Sequence, residues 1–279
     1  MFSGDTGGMN QLKVIVVGVL GIAATGFADG LDKNKLLSPA DVSKIRTQLP
    51  GVVIGPADVP PLSDASQWFP LRDVELVYDQ PLDAGKTATL SMKPTARKPG
   101  HPIGSRGGGW MMTVSNGATR YLSERKGEGV VIPTEVAVAN GLLIRLNPPE
   151  PLVLEGIESG KTVSQDIVVK VYDVGDPSVV THSGKVTCTW RDLDGWRVKT
   201  SIGEHDTRLV CVSYSGSVGP ASVSAQKYMF LEHGVGPVAF SDAREISAFL
   251  FYSNDSDNGG ILRHRSDSDG ASSAGKVKK

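Results

Sequence analysis

Five histidines, His101, His182, His205, His233 and His264, are the side chains that titrate nearest neutral pH, and each stands alone along the chain. There is no His-x-His pair, no HExxH and no close Cys/His cluster, so no metal-ligand set is legible. The one histidine flanked by acids is Glu204-His205-Asp206, beside Gly203, a grouping with potential for acid–base work. Neighbours along a turn point apart, however, and no GxSxG nucleophile motif accompanies them. Gly104-Ser105-Arg106-Gly107-Gly108-Gly109-Trp110 imitates a phosphate loop without the GxxxxGK[ST] order, and no helix follows to supply an N-terminal dipole. It reads as a hairpin loop. The expectation is therefore no catalytic residue, no metal ligand and no cofactor.

Cys188 and Cys211 are the remaining pair with chemistry of their own. In an exported protein two cysteines often pair, and closing this loop of about 24 residues would add about 3 kcal/mol. Meander order opposes it: strands around Cys188, Val198 and Cys211 would place the cysteines two strand spacings apart, about 9.6 Å, beyond disulfide reach. A disulfide and two buried free thiols both remain open at this point.

The chain of 279 residues carries 29 basic and 30 acidic side chains, a net charge of −1 that offers no global attraction to nucleic acid or anionic membrane. With 39% hydrophobic residues it can bury a core, while 33 Gly and 17 Pro call for many turns. Near the start, Lys13 precedes an uncharged run from Val14 to Ala28 that ends in Gly26-Phe27-Ala28 and is followed by the polar Asp29-Gly30. That is the form of a secretory signal peptide, with Met9 as the expected initiator and residues 1–28 as the cleaved segment. The run is shorter than the roughly 20 residues of a membrane span. No Cys lies near the cut, so the expected mature protein is exported to the periplasm or beyond, is not lipid-anchored and has no integral membrane segment.

These residues must be positioned by the elements around them. Ser38-Pro39-Ala40-Asp41 forms a helix start, and Val42, Ile45 and Leu49 share a face, predicting one helix over Pro39 to Leu49. Gly55 to Phe69, with three prolines, reads as a linker without regular structure, completing a segment over residues 29–68. From Phe69 the period becomes two, as in Val74, Leu76 and Tyr78, or Val186, Cys188 and Trp190. The fold class is mainly β: a curved antiparallel meander of about ten strands over residues 69–253, a barrel or half-barrel, with one short N-terminal helix. Residues 254–279, rich in Asp, Ser, Gly and Lys, are expected to be a disordered tail. Within the sheet, a three-residue loop Leu193-Asp194-Gly195 with Gly195 left-handed would pair Trp190 with Val198. Trp190 should then be the most buried tryptophan, with Trp68, Trp110 and Trp196 more exposed.

Trp68-Phe69-Pro70-Leu71 with Tyr78, the Pro-rich entry into Leu152-Val153-Leu154-Glu155-Gly156 with Gly160-Lys161-Thr162, and Gly234-Val235-Gly236-Pro237-Val238 form an ordered set of motifs. Over Trp68 to Tyr252 the chain resembles an uncharacterised family of exported bacterial proteins whose curved sheets are similar to the lipoprotein-carrier half-barrels. The resemblance implies a ligand-holding or envelope-assembly role and no catalytic residues. One helix cannot shield so many strands, so either the sheet closes or an apolar face awaits a guest. The expected function is a non-enzymatic envelope protein that holds a lipid-like or other apolar ligand, or a partner's hydrophobic segment. The expected lining is Val169, Val171, Val186, Trp190, Val198, Val223 and Met229. The alternative is a structural or interaction module with a closed core and no small-molecule ligand, binding partners at an edge or loop.

Overall fold

The computed structural model describes residues 36–83, 85–95, 109–115, 118–137, 141–248 and 252–267. The signal segment, the glycine-rich loop over 104–108 and the chain beyond Asp267 lie outside the described residues. Helix α1 spans Pro39–Gln48 and opens with a capping box: the Asp41 amide donates to Ser38 Oγ and the Ser38 amide donates to the Asp41 carboxylate. A short strand β1, Val53–Pro56, leads through a proline-rich strap to α2, Ala65–Trp68, whose N-cap is Asp64. The strap thus holds more regular structure than its prolines suggest, because they fall at the end of β1 and before Asp64 rather than inside an element.

Twelve longer strands follow: β2 Val74–Asp79, β3 Thr87–Thr95, β4 Gly109–Val114, β5 Ala118–Arg125, β6 Gly129–Ala137 and β7 Leu142–Val153, then β8 Thr162–Asp173, β9 Val180–Thr200, β10 Gly203–Val218, β11 Ala221–Glu232, β12 Gly236–Ala248 and β13 Tyr252–Asp267. Each pairs antiparallel with the next in sequence, and β13 pairs with β2, closing a twelve-stranded up-and-down barrel. β1 is added to the far end of β9, with Pro56 opposite Trp196. The meander and its curvature match the sequence reading. The tail boundary does not, because β13 occupies residues expected to be disordered and supplies the closing strand. Its ladder to β12 and β2 satisfies the backbone on both sides, and Leu262, opposite Tyr78, is fully buried. Composition hid a strand that tertiary pairing stabilises.

The expected hairpin at Leu193-Asp194-Gly195 is also overturned. β9 runs straight through it, and the true turn is Ser201-Ile202. In the β9–β10 ladder Asp192 faces Val210 and Gly195 faces Arg208, so β9 carries one extra residue, a bulge in which Asp194 takes the left-handed conformation at φ 74°. Gly195 is required for another reason: a Cβ there would stand 2.1 Å from the Ala57 carbonyl oxygen of the strap. The bulge exchanges the faces of the strand. Before it, Trp190 points inward and pairs with Val212 and Val163. After it, Trp196 and Val198 point outward, along the stretch of β9 that pairs with β1. Trp190 is fully buried as expected, but so is Trp196, and Trp68 is nearly so, while Trp110 opens β4 half-buried.

Arg191, Cys211, Tyr228, Ser241 and Gly259 are successive register partners on the outer face of β9 to β13. Helix α1 covers this row, burying Ile45 and Leu49, and its Gln48 bonds Ser241. Gly259 permits the approach, since a Cβ there would lie 2.6 Å from the Gln48 carbonyl oxygen. The clasp is polar at its centre. Asp41 is 3% exposed and accepts from both Nη groups of Arg191 at 3.2 and 2.7 Å and from Tyr228 Oη at 2.5 Å. Burial works to raise the Asp41 carboxyl, but Arg191, Tyr228 and Ser38 outweigh it and hold it far below the usual carboxylate range.

Asp41→Asn should cost about 3 kcal/mol, the low end for breaking a buried ion pair, because Arg191 keeps partial exposure. A depressed native value means that the carboxylate's contribution is complete above the ordinary range and is lost as pH falls through and below it. Urea melts at pH 7 and pH 3 should therefore show wild type losing more stability on acidification than Asp41→Asn.

Candidate functional site

The strap between β1 and β2 closes one end of the barrel. The Ala57 amide donates to Gly195 O, the Gly156 amide to Leu62 O and the Gly234 amide to Gln67 O, so the strap is tied to the β9 bulge and to the β7–β8 and β11–β12 connections. Arg208 reaches Val59 O from inside while its Nε donates to Asp192 at 2.9 and 3.0 Å. This ion pair is almost wholly buried. Trp68 packs edge-on against His233, with ring centroids 5.3 Å apart, and Phe69 is turned into the barrel.

Above the strap lies a cavity of about 210 Å³. Barrels of about eight strands are just filled by their own side chains, so twelve strands leave room. Phe69, Leu152, Pro237, Met229, Phe240 and Tyr78 form its apolar end, next to the strap. Tyr78 packs edge-on against Phe240 at 5.1 Å and donates to Pro237 O at 2.8 Å. Toward the other end, where the β2–β3 and β4–β5 turns lie, polar side chains join Ala88, Leu90 and Val114 in the lining: Gln80, Ser115, Asn258, Asp242 and Lys227, with Arg120 on the wall between. The site is amphipathic along the barrel axis.

Next to it is a set of inward-facing ionisable groups. Arg120 on β5 donates from Nε to Glu135 on β6 at 2.6 Å, and Tyr214 on β10 donates to Glu150 on β7 at 2.6 Å. Burial pushes the Glu150 carboxyl up, opposed by Arg120 and the Tyr214 hydroxyl. Burial also raises the Tyr214 phenol and the Cys188 thiol, both further disfavoured as anions by Glu150. Arg120 stays charged: burial opposes it, and Glu135 and Glu150 more than compensate.

Of the seven residues expected to line a binding face, only Met229 borders this cavity. Val169, Val171, Val186 and Trp190 are buried on the inner face of β8 and β9, where the Trp190 indole N–H donates to Pro151 O at 2.9 Å. Val198 lies on the outer face beyond the bulge, and Val223 is half-buried on β11. The period-two reading found inward faces, but not which part of a closed ring stays unfilled. Arg120 and Lys227 were missed because each is a charge on an otherwise apolar alternation; that interruption, Lys227 two residues from Met229, was the available signal.

The other candidates resolve by geometry. Cys188 and Cys211 are free and buried. They lie on adjacent strands, not two apart as expected, but Cys188 faces inward opposite Tyr214 while Cys211 faces outward opposite Arg191. A sheet separates the thiols. In Glu204-His205-Asp206 the side chains alternate: Asp206 pairs with Arg197, and Glu204 is exposed. His205 instead meets Thr200 Oγ1 at Nε2, 2.9 Å, and Glu232 at Nδ1, 2.8 Å. The same Thr200 hydroxyl accepts the Ile202 amide at 3.2 Å, so this hydroxyl–imidazole–carboxylate chain braces the β9–β10 turn.

No family model matches the chain, and no curated protein matches it. Among solved structures it is similar to a candidate lipoprotein from Parabacteroides distasonis, at 11% identity over 73% of this chain and 100% of that one, with a TM-score of 0.34. It is also similar to a candidate exported protein with a YmcC-like fold from Bacteroides fragilis, at 11% identity over 70% of this chain and 96% of that one, with a TM-score of 0.33.

Thiol titration of the native protein should find both cysteines unreactive until denaturant is added, and a reductant should leave its melting temperature unchanged. Trp190→Ala should cost about 3–5 kcal/mol through a cavity and a lost indole bond. An unchanged denaturation midpoint would show that Trp190 does not support the inner wall.

Proposed function

We propose that this chain is an exported, non-enzymatic binding protein whose barrel holds a small apolar or amphipathic molecule. The observation that carries the reading is the cavity of about 210 Å³ with an apolar end sealed by the strap and a polar end opposite. A void of about 150 Å³ lined by aliphatic and aromatic groups already takes benzene, so the space suits a guest of that size or somewhat larger. Export is supported by the signal-like run before Ala28, and freedom from a lipid anchor by the lack of a cysteine beside it. The outer face supports a water-facing barrel: Asp166 on β8 pairs with Lys185 on β9 at 2.6 Å, a charge pair that lipid would penalise.

A second reading, an interaction module, is favoured by one observation. β8 pairs with β7 only from Val168 to Asp173, so Thr162 to Asp166 have a neighbour on the β9 side alone, and Val163 is 40% exposed. Such an edge accepts an added strand.

Refolded, ligand-stripped protein should enhance the emission of a naphthalene-sulfonate probe, and Met229→Trp, which fills the apolar end, should abolish the response with little change in circular dichroism. A wild-type protein that gives no probe response and no mass adduct after incubation with apolar molecules would overturn the binding reading and leave the edge of β8 as the functional surface.

A further inference from the structure

We propose that the cavity selects an organic carboxylate, with the Arg120 guanidinium as anchor for the head and the strap-side aromatic and methionine side chains as the seat of the tail. The inference rests on the cavity reading above and names its ligand class. Arg120 opposes Met112 on β4 and Glu135 on β6, so its side chain projects inward, and it borders the cavity. Its Nε is committed to Glu135, and among the described residues its two Nη groups have no hydrogen-bond acceptor. The side chain still keeps 19% exposure, although it belongs to the inner wall. That open surface faces the space it lines.

A guanidinium cannot shed its proton to escape desolvation, so an Nη fork inside a barrel requires acceptors. A carboxylate meets both Nη groups in one plane, the geometry for which arginine is suited and lysine is not. The other charged groups nearby are already engaged. Glu135 holds Nε, Glu150 is bonded by the Tyr214 hydroxyl, and Lys227 and Asp242 are register partners of opposite sign on β11 and β12. Among the described residues the two Arg120 Nη groups are thus charged donors on the cavity wall without a hydrogen-bond acceptor. Met112, Met229, Phe240 and Phe69 supply an apolar path from it toward the strap. By comparison with the space that holds benzene, the tail would be about six to eight carbons or one aromatic ring with a short linker.

Calorimetric titration of the refolded full chain with octanoate, octanol, octylamine and acetate tests this. Octanoate should bind at least tenfold more tightly than octanol, octylamine should bind more weakly than octanol, and acetate should not bind. Arg120→Gln should erase the preference for octanoate while octanol binds as before, and Arg120→Lys should restore only part of it. Equal binding of octanoate and octanol by wild type, or a preference that survives in Arg120→Gln, overturns the anchor and leaves the cavity reading intact. Failure of both octanoate and octanol to bind overturns both. If Arg120→Gln does not fold, the comparison of head groups on wild type remains decisive.

Discussion

The ladder between β13 and β2 is the interaction on which the rest depends. Without it the meander would be an open sheet with two long edges and an inner face that one helix and a strap could not cover. With it, every inward side chain faces a single shared space, and the strap can seal one end of that space by three backbone hydrogen bonds to a strand bulge and two loops from different parts of the ring. The closing strand is among the most polar of the twelve. Its strength lies in backbone pairing on both sides and in Leu262, rather than in a continuous apolar face.

One bulge divides the packing into two cores. Because Asp194 is an extra residue in β9, Trp190 fills the barrel interior while Trp196, six residues on, is buried on the outer face where β9 pairs with β1. Each core is crossed by an ion pair that removes a helix or strap from free motion: Arg191 with Asp41 outside, Arg208 with Asp192 inside. Buried pairs add little net stability against an apolar substitute, but they fix geometry, since a slipped register would leave a charge unpaired in a dry place. Here they set where α1 and the strap sit, and through the strap they set the apolar end of the cavity.

The chemistry of the interior follows from this arrangement. A wide barrel closed at one end by aromatic side chains and carrying cations and hydrogen-bonding groups further up is polarised along its axis, so a guest with an apolar tail and polar head has one favourable orientation. The hydroxyl–imidazole–carboxylate chain at Thr200, His205 and Glu232 shows why residue types in a row are weak grounds for catalysis: its hydroxyl is already tied into a turn by the Ile202 amide.

Much of the architecture was legible from residues alone. The α1 start at Ser38-Pro39, its face of Val42, Ile45 and Leu49, and the alternation through β2, β8 and β9 are local patterns, and local patterns report which side of an element is apolar. Burial of Trp190 followed from the same rule. What the residues could not supply was relation at a distance. Whether Asp194-Gly195 turns or bulges depends on the strap carbonyl that passes Gly195; whether Asn254 to Asp267 is tail or strand depends on a partner nearly two hundred residues earlier in the chain; whether Cys188 can reach Cys211 depends on which face each takes after pairing. The cavity is the extreme case. Period-two alternation marks every inward residue alike, and only closure of the ring decides which of them pack against one another and which are left facing empty space.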